Sequence, residues 1–223
     1  MARLQNITAG SDFVSLDPAR RAQAGALLGR AFHTDVLYES VIPDDTKRAD
    51  LLSWLFDKVV HYALLYGHVH TTPALEGVAC WLPPGRTEIT LGRIVRSGLH
   101  ATPLKMGWAA YRRFDPYQSL SGRLHHLHAP QPHWYLWAIG VDPACQGRRV
   151  GSRLLAPMLR RAAEEGTACY LETGSERNVR FYEKHGFHVA SAVQMPVLGV
   201  PIWAMRREAG TTDRRVTAQG RHP

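Results

Sequence analysis

Apolar residues recur at the helical period most clearly between Thr46 and Tyr66. The members of this stripe are Leu51, Leu52, Leu55, Phe56, Val59, Val60, Ala63 and Leu64. A stripe of this length predicts an amphipathic helix, which Gly67 would end. Asp17 followed by Pro18 is typical of a helix start, so another helix is expected from there to about Phe32.

The hydrophobic period changes after Gly67. Residues 68–72 and 77–82 are short apolar runs on either side of Pro73, which predicts a hairpin of two strands. Residues 83–85, Pro-Pro-Gly, break the chain. The pattern over 87–130 indicates helices and loops but does not fix where they begin and end.

Strands and helices alternate in the C-terminal half. The predicted strands are 134–141, 168–172, 187–195 and 202–205, and the predicted helices are 152–165 and 176–185. Two strands and two helices followed by an antiparallel pair indicate a mixed α/β sheet. From residue 209 the composition turns to Gly, Thr, Arg and Gln, so we expect a disordered tail over 209–223.

Length and composition exclude several classes of protein. A chain of 223 residues with 45% hydrophobic content forms a core without disulfides or a structural metal. No apolar run approaches the roughly 20 residues of a membrane span, and the first residues lack the apolar core of a signal peptide. Three cysteines without a paired spacing suit a reducing compartment. We therefore expect a cytoplasmic protein with no membrane association.

The charge balance is basic. Lys and Arg number 27 against 19 Asp and Glu, a formal net charge of +8. Such a balance suits an anionic partner, for example phosphate, an anionic cofactor or nucleic acid. A solvated basic surface explains the same balance equally well.

A polar loop between a buried strand and a helix has a pattern that suits phosphate. Its residues are Gln146, Gly147, Arg148, Arg149, Val150 and Gly151. Successive backbone N–H groups at a helix N-terminus attract phosphate oxygens, and glycine allows close approach. Neither the P-loop nor the dinucleotide fingerprint is present. An ordinary strand–helix turn remains the alternative.

Asn178 and Tyr182 lie four residues apart on one predicted helix and therefore share a face. A tyrosine hydroxyl, with a reference pKa of about 10, is protonated at neutral pH and is able to donate a proton to a leaving group. The alternative is that Tyr182 only packs, as Phe181 and Phe187 are expected to do.

Taken together and in order over about 134–206, these features resemble the GCN5-related N-acetyltransferase (GNAT) superfamily, in particular the subgroup of puromycin N-acetyltransferase. The residues that carry the subgroup resemblance are the aromatic strand beginning at Trp134, the run 171–173, the stretch 177–183, and Trp203, Met205 and Arg207. The resemblance implies an α/β GNAT fold with a mixed sheet of about seven strands and helices on both faces. It implies one domain over 1–208, with acceptor-binding helices in 17–66 and a cofactor-binding core in 133–207.

The resemblance also implies roles for individual residues. Acetyl-CoA would be the co-substrate, with no metal, and an amine would attack its thioester directly. The backbone of Ile139 and Val141 would pair with the pantetheine arm, which Asn178 would also hold. The loop that includes Gln146, Gly147, Arg148, Arg149, Val150, Gly151 and Ser152 would bind the pyrophosphate. Tyr182 would protonate the departing thiolate.

The residue that accepts the proton of the amine is less clearly marked. Glu172 ends a strand beside the implied cleft and is the first candidate, either as base or as a ligand of the amine. An ordinary solvated carboxylate is the alternative. The residues that follow the first helix, where the superfamily binds its acceptors, are His33, Asp35, Tyr38 and Glu39. An acceptor amine with a lowered pKa would need no base.

Arg149 departs from the family pattern, because the family has glycine at that position. A negative φ would cost little, whereas a positive φ would strain an arginine by roughly 1–3 kcal/mol. Because Gly151 retains the position before the helix, we expect the arginine to be tolerated.

Four of the twelve histidines cluster at His125, His126, His128 and His133. No Cys, Asp or Glu lies among them and the spacing matches no common zinc pattern, so we expect surface or loop-packing roles.

The leading functional hypothesis is an acetyl-CoA-dependent N-acetyltransferase of a small primary amine, with an antibiotic or aminonucleoside among the possible acceptors. The alternatives are acetylation of a protein or tRNA, although nucleic acid lacks a supporting motif, and a non-catalytic acyl-CoA sensor. Exposed edges of the last strands are compatible with a monomer or a homodimer.

Overall fold

Seven strands form one mixed sheet in the computed structural model, which describes residues 13–211. The strands are β1 (Val14–Ser15), β2 (His68–Thr71), β3 (Gly77–Leu82), β4 (His133–Val141), β5 (Ala168–Thr173), β6 (His188–Gln194) and β7 (Pro201–Arg207). Their order across the sheet is β1-β2-β3-β4-β5-β7-β6. Only the β4–β5 pair is parallel.

Helices cover both faces of this sheet. They are α1 (Arg21–Ala31), α2 (Val36–Val41), α3 (Asp45–Tyr66), α4 (Leu91–Ser97), α5 (Thr102–Met106), α6 (Trp108–His128), α7 (Val150–Glu164) and α8 (Glu176–Glu183). Neighbouring residues of a strand point to opposite faces. Ala79 of β3 accordingly packs in the core cluster that contains α7, whereas Cys80 packs in the cluster of α1 and α3. The predicted fold class, a seven-stranded mixed sheet between helices, is confirmed.

The sequence pattern located the longest helix correctly but did not fix the bounds of the 21-residue helix α6. The long helix was expected over 46–66 and α3 spans Asp45–Tyr66, with the Asp44 carboxylate accepting a hydrogen bond from the Lys47 N–H at its start. Two short elements were not predicted, the two-residue strand β1 and the six-residue helix α2. Neither is long enough to show a period. Residues 1–12 and most of the predicted tail, 212–223, lie outside the described residues.

Two glycines bring α1 close to α3. A Cβ atom at Gly25 would lie 2.6 Å from the backbone of Asp57, and one at Gly29 would lie 2.8 Å from the backbone N of Ser53. The absence of side chains at these positions therefore allows the two helix backbones to approach. This contact fixes α3 behind β2 and β3 and places its C-terminal half along the cleft described below.

β4 and β5 separate part of the way along the sheet. Their parallel register extends only from His133–Ala168 to Tyr135–Tyr170, the last pair. Beyond this fork β4 continues to Val141 paired with β3 alone, and the register skips Trp137. β5 meanwhile continues to Thr173 paired with β7. The fork leaves one side of β4 open, which creates a cleft inside the sheet.

β7 lies between β5 and β6, so it is not an edge. Exposed edges were expected on the last two strands, and this is wrong for β7; β6 is the strand at the edge. Within residues 13–211, no helix combines the length and apolar composition that a membrane crossing requires.

Candidate active site

A cleft of about 2270 Å³ opens at the fork between β4 and β5. It extends from α2 and α6 at one end to the first residues of α7 and α8 at the other. The predicted catalytic and cofactor-binding residues that line it are Ile139, Val141, Gln146, Gly147, Arg149, Val150, Gly151, Ser152, Glu172, Asn178 and Tyr182. Residues far apart in the sequence thus meet in one place.

The loop before α7 presents free backbone donors. Within the described chain, none of the N–H groups of residues 147–152 donates a hydrogen bond to a backbone acceptor. Gly147 has a φ of +78°, and a Cβ there would meet nothing within 4 Å. Free N–H groups at a helix N-terminus form a cradle for an anion. This end of the cleft therefore suits phosphate.

The side chain of Arg148 lies outside this cradle. Its guanidinium points to the Glu76 carboxylate, 3.7 Å away, and to the Cys145 sulfur. It does not line the cleft. The Arg148 side chain therefore points away from the cradle, whereas its backbone N–H is one of the free donors, so a role of Arg148 in holding a cofactor stays a prediction that rests on its backbone.

Arg149 adopts the left-handed conformation, with φ +60° and ψ 15°. The premise of the expected tolerance, that Gly151 stands before the helix, is wrong, because α7 begins at Val150. Gly151 lies inside α7, where its missing side chain instead makes room for the Phe181 ring, 3.2 Å from the position of a Cβ. Arg149 itself occupies the position that favours glycine, at a cost of about 1–2 kcal/mol.

Tyr182 and Asn178 lie on the face of α8 that lines the cleft. The Tyr182 ring is buried between the rings of Phe181 and Phe187, and burial raises the pKa of its hydroxyl well above the usual value of 10. The hydroxyl therefore keeps its proton at neutral pH. The Asn178 amide donates to the Thr173 hydroxyl at 3.3 Å, which ties α8 to the end of β5.

A contact between Ser152 and His185 joins α7 to the end of α8. The Ser152 hydroxyl lies 3.0 Å from the His185 Nε2, and both side chains line the cleft. His185 was not predicted as a site residue, because its partner Ser152 lies 33 residues earlier in the chain and no local spacing links the two.

Glu172 is half-buried just beyond the fork. Its Oε2 accepts a hydrogen bond of 2.8 Å from the Tyr135 hydroxyl, and its Oε1 is buried with no donor in hydrogen-bonding geometry. Burial raises the pKa of the carboxyl to about 7, although the hydroxyls that face it favour the ionised form. A carboxyl that titrates near pH 7 is suited to accept a proton.

The expected surface role fits His126, which is exposed, whereas His125 packs on the sheet and His133 is buried in it. His125, His126 and His128 belong to the last turn of α6, and His125 packs against β4 and β5. The Nε2 atoms of His125 and His133 are 2.7 Å apart. Burial lowers the pKa of both rings, so both are neutral at pH 7. Among residues 13–211, no group of three or more His, Cys, Asp and Glu is arranged to hold a metal ion.

Two of the four residues after the first helix line the cleft. These are Asp35 and Tyr38, whereas His33 and Glu39 do not. The Asp35 carboxylate caps α2 by accepting from the Leu37 N–H at 3.0 Å. Burial raises the pKa of Asp35, more than this hydrogen bond lowers it.

Charge is divided along the cleft. The Lys and Arg residues that line it in the described chain are Arg149, Arg177 and Lys184, all at the end formed by α7 and α8. The carboxylates along the rest of the cleft are Asp35, Glu88, Asp115 and Glu172, and among the described residues Glu176 is the one carboxylate beside the cations at the α8 end. One end thus favours an anion and the other a cation.

Comparisons with known proteins agree with this geometry. Residues 105–187 match the sequence model of a family described as the acetyltransferase (GNAT) family. An uncharacterized N-acetyltransferase of Schizosaccharomyces pombe is 26% identical over 200 residues, which cover 86% of this chain and 81% of that protein.

Solved structures share the fold. One from Corynebacterium glutamicum, described as a histone acetyltransferase and related acetyltransferase, has a TM-score of 0.62 at 21% identity and covers 90% of this chain and 97% of its own. Arylalkylamine N-acetyltransferase 2 from Aedes aegypti has a TM-score of 0.54 at 12% identity, over 88% of this chain and 97% of its own. The region 105–187 that matches the family model contains the fork, the loop before α7, and α8.

Proposed function

We propose that this chain is a GNAT-superfamily acetyltransferase and that it transfers an acetyl group from acetyl-CoA to the primary amine of a small molecule; the match of residues 105–187 and the shared fold support the proposal. The observation that carries the proposal is the division of one cleft into two ends. Free N–H groups and three cations lie at one end, and a carboxyl with a pKa of about 7 lies at the fork with further carboxylates beyond it.

The residues at the α7 end fit the co-substrate. Acetyl-CoA carries its acetyl group as a thioester on a long arm that ends in phosphates. The N–H groups of 147–152 would bind the pyrophosphate, helped by Arg149, and Asn178 would hold the arm. The open side of β4 at Ile139 and Val141 would pair with the amides of the arm. At Val141 the carbonyl already accepts a weak hydrogen bond of 3.4 Å from the Gln146 side chain, so Ile139 is the better partner.

Glu172 would accept the proton of the amine, and Tyr182 would donate a proton to the sulfur. The amine nitrogen forms a bond to the thioester carbon while its proton passes to the Glu172 carboxylate, directly or through a water. The bond from carbon to sulfur then breaks, and the Tyr182 hydroxyl gives its proton to the sulfur. The amine is acetylated in a single complex with no acyl-enzyme.

The acceptor end favours a compact cationic amine with apolar bulk. Besides its carboxylates it is lined by aromatic rings, which are Phe32, Tyr38, Phe56, Tyr111, Phe114, Tyr117 and Trp137. Aromatic faces and carboxylates together attract ammonium groups. Arylalkylamines, which the Aedes aegypti enzyme is named for, and aminonucleosides such as puromycin both have this character. An antibiotic acceptor is part of this proposal.

The test is the release of CoA thiol from acetyl-CoA with a panel of amines: phenethylamine, puromycin, agmatine, spermidine, an aminoglycoside and amino acid amides. A reaction without acceptor gives the background. Release that depends on one class of acceptor supports the proposal. Protection of the protein by acetyl-CoA against thermal unfolding, with no release from any amine, would instead support a non-catalytic acyl-CoA sensor.

The rate should depend on pH through Glu172. Because the carboxyl acts as a base only when ionised, kcat/KM for the amine should rise with pH and bend near pH 7. In Glu172→Gln this bend should disappear and kcat should fall by about 100-fold or more. An exposed carboxylate outside the cleft supplies the control, Asp50→Asn, which should keep the wild-type profile. An unchanged profile in Glu172→Gln would exclude Glu172 as the base.

A further inference from the structure

The fork between β4 and β5 is closed by a pair of tyrosines. Tyr135 and Tyr170 are partners in the last pair of the parallel register, and their ring centroids are 6.0 Å apart. Both rings are buried. Because side chains two residues apart on a strand share a face, Glu172 is the next residue of β5 on the face of Tyr170. It is also the first on that face beyond the fork.

A row of polar residues on α6 faces this tyrosine pair. Tyr117, Ser121 and His125 are four residues apart and therefore lie on one side of the helix. The His125 ring stacks on Tyr170 at 4.8 Å between centroids and lies 4.4 Å from Tyr135. The hydroxyls of Tyr117 and Ser121 lie near the Glu172 carboxyl.

In the described part of the chain, hydroxyl groups rather than basic side chains act on the Glu172 carboxyl. The groups that face it are the hydroxyls of Tyr135 on β4, Tyr170 on β5 and Ser121 on α6, with Tyr117 and then Asp35 beyond. Within the described chain, the one hydrogen bond to the carboxylate with normal geometry is that of Tyr135, at 2.8 Å. Hydrogen bonds to a charged group are among the strongest in proteins.

His125 and His133 form a hydrogen-bonded pair, and the His125 ring packs against both tyrosines. The His133 Nδ1 lies 2.7 Å from the Gln131 carbonyl oxygen, which is only an acceptor, so Nδ1 carries the proton. The Nε2 of the neutral His133 ring is therefore bare and accepts from the His125 Nε2–H at 2.7 Å. This bond fixes the tautomers and the orientation of the His125 ring, which lies against both tyrosines.

We propose that Tyr135 is a positioning residue, whose hydroxyl holds the Glu172 carboxylate at the fork and favours its ionised form, and that the His125–His133 pair keeps the tyrosine in place. The inference rests on the proposed role of Glu172 as base. It also accounts for the histidines that neither the phosphate cradle nor the proton transfers use.

The test removes one oxygen atom. In Tyr135→Phe the carboxylate loses its donor, so the pKa of Glu172 should rise by about one unit or more. The carboxyl is titrated directly by NMR in protein labelled with ¹³C-glutamate, with Glu172→Gln identifying the signal. The bend in the kcat/KM profile should move to higher pH by the same amount, with KM for acetyl-CoA unchanged. The matched control is Tyr62→Phe, which deletes another buried tyrosine hydroxyl whose partner is the Glu88 carbonyl oxygen.

The outcomes separate this inference from the proposed function. A Glu172 titration that stays at its wild-type pH in folded Tyr135→Phe would overturn the role of Tyr135. A shifted Glu172 titration with an unshifted rate profile would show that Tyr135 acts on the pKa of Glu172 but that Glu172 is not the base. Tyr135 would then have no positioning role in the reaction. Both shifts together, absent in Tyr62→Phe, would support the inference.

A second variant tests the same bond with the opposite sign. Replacing Tyr135 by 3,5-difluorotyrosine keeps the ring and the hydroxyl but makes the hydroxyl a stronger donor. The pKa of Glu172 should then fall below its wild-type value. A rise or no change would contradict the inference, and this variant serves where Tyr135→Phe does not fold. In His125→Phe, which keeps a ring but removes the donor to His133, the Glu172 titration should shift in the same direction as in Tyr135→Phe.

Discussion

The Tyr182 hydroxyl belongs to a side chain that is almost wholly buried by its neighbours, yet it lines the cleft. Burial raises its pKa, so the group keeps its proton through the neutral and moderately alkaline range. Tyr182→Phe should lower kcat by about 100-fold, because it removes the proton donor for the sulfur. The affinity for acetyl-CoA should change less than about twofold, because the ring and its packing remain.

The measurement is steady-state kinetics together with acetyl-CoA binding by calorimetry. Tyr66→Phe is the control, since Tyr66 is partly buried on α3 and does not line the cleft. A Tyr182→Phe enzyme with wild-type kcat and affinity would rule out the general-acid role.

Arg149 combines backbone strain with a place in the cofactor end of the cleft. Arg149→Gly should raise the free energy of unfolding by about 0.5–1 kcal/mol, because relief of the left-handed conformation outweighs the greater freedom of glycine in the unfolded chain. The same change should weaken acetyl-CoA binding by about fivefold, because a cation beside the phosphates is lost. Strain retained for binding is typical of functional sites.

Urea unfolding and calorimetry measure these two effects separately. Arg148→Gly is the matched control, because Arg148 has a negative φ and lies outside the cleft. It should lower stability by about 0.5–1 kcal/mol and leave binding unchanged. If Arg149→Gly is less stable than the wild type, the strain is smaller than the conformation implies.

At the scale of residues, local spacing predicted part of the site. Asn178 and Tyr182 were found because they lie four apart on one helix, and the loop of 146–151 because its residues are consecutive. Tyr135 and Glu172 are 37 residues apart, and Ser152 and His185 are 33 apart. Contacts of this kind depend on which strands and helices become neighbours, so the sequence pattern alone does not contain them.

At the scale of elements, the contact between α1 and α3 positions the wall of the cleft where we propose that the acceptor amine binds. α3 carries Leu55, Phe56 and Val59, which line the cleft. In Gly25→Ala the new Cβ would lie 2.6 Å from the Asp57 backbone, which is too close unless α3 moves. We expect a loss of about 1–3 kcal/mol in unfolding free energy and a higher KM for the amine, with KM for acetyl-CoA little changed.

The control for this change is another glycine within a helix. Gly92 lies in the first turn of α4, and a Cβ there would meet nothing within 4 Å. Gly92→Ala should therefore stabilise the protein by up to about 1 kcal/mol, as alanine favours helix. Equal effects of the two substitutions on thermal unfolding would mean that the α1–α3 contact adapts to the added methyl group.

Elements were predictable where a period repeats several times. The long helix α3 shows its stripe over many turns, whereas β1 and α2 are too short to show one. The fork was not predictable in the same way, because β4 is apolar along its whole length whether or not β5 pairs with it. Where β4 and β5 part is seen only in their register, which ends at Tyr135 and Tyr170 while each strand continues beside another partner.

At the scale of the whole molecule, the carboxylate-lined end of the cleft has a charge opposite to that of the protein. The chain carries a formal net charge of +8, yet in the described part no Lys or Arg lines the end that holds Asp35, Glu88, Asp115 and Glu172. Charges of one sign in a cleft with apolar walls concentrate the field there. The carboxylates of this end would therefore repel an amine that itself carries a carboxylate.

Matched pairs of acceptors test this division of charge. Phenylalanine amide should have a kcat/KM at least about 10-fold above that of phenylalanine, which differs by one carboxylate next to the amine. The preference should shrink as ionic strength rises toward about 0.5 M, because salt screens exposed charges. It should also shrink in Asp35→Asn, which keeps the oxygen that caps α2, but not in Asp50→Asn. Equal rates for the acid and the amide at low salt would show that the acceptor's charge is not read by this end of the cleft.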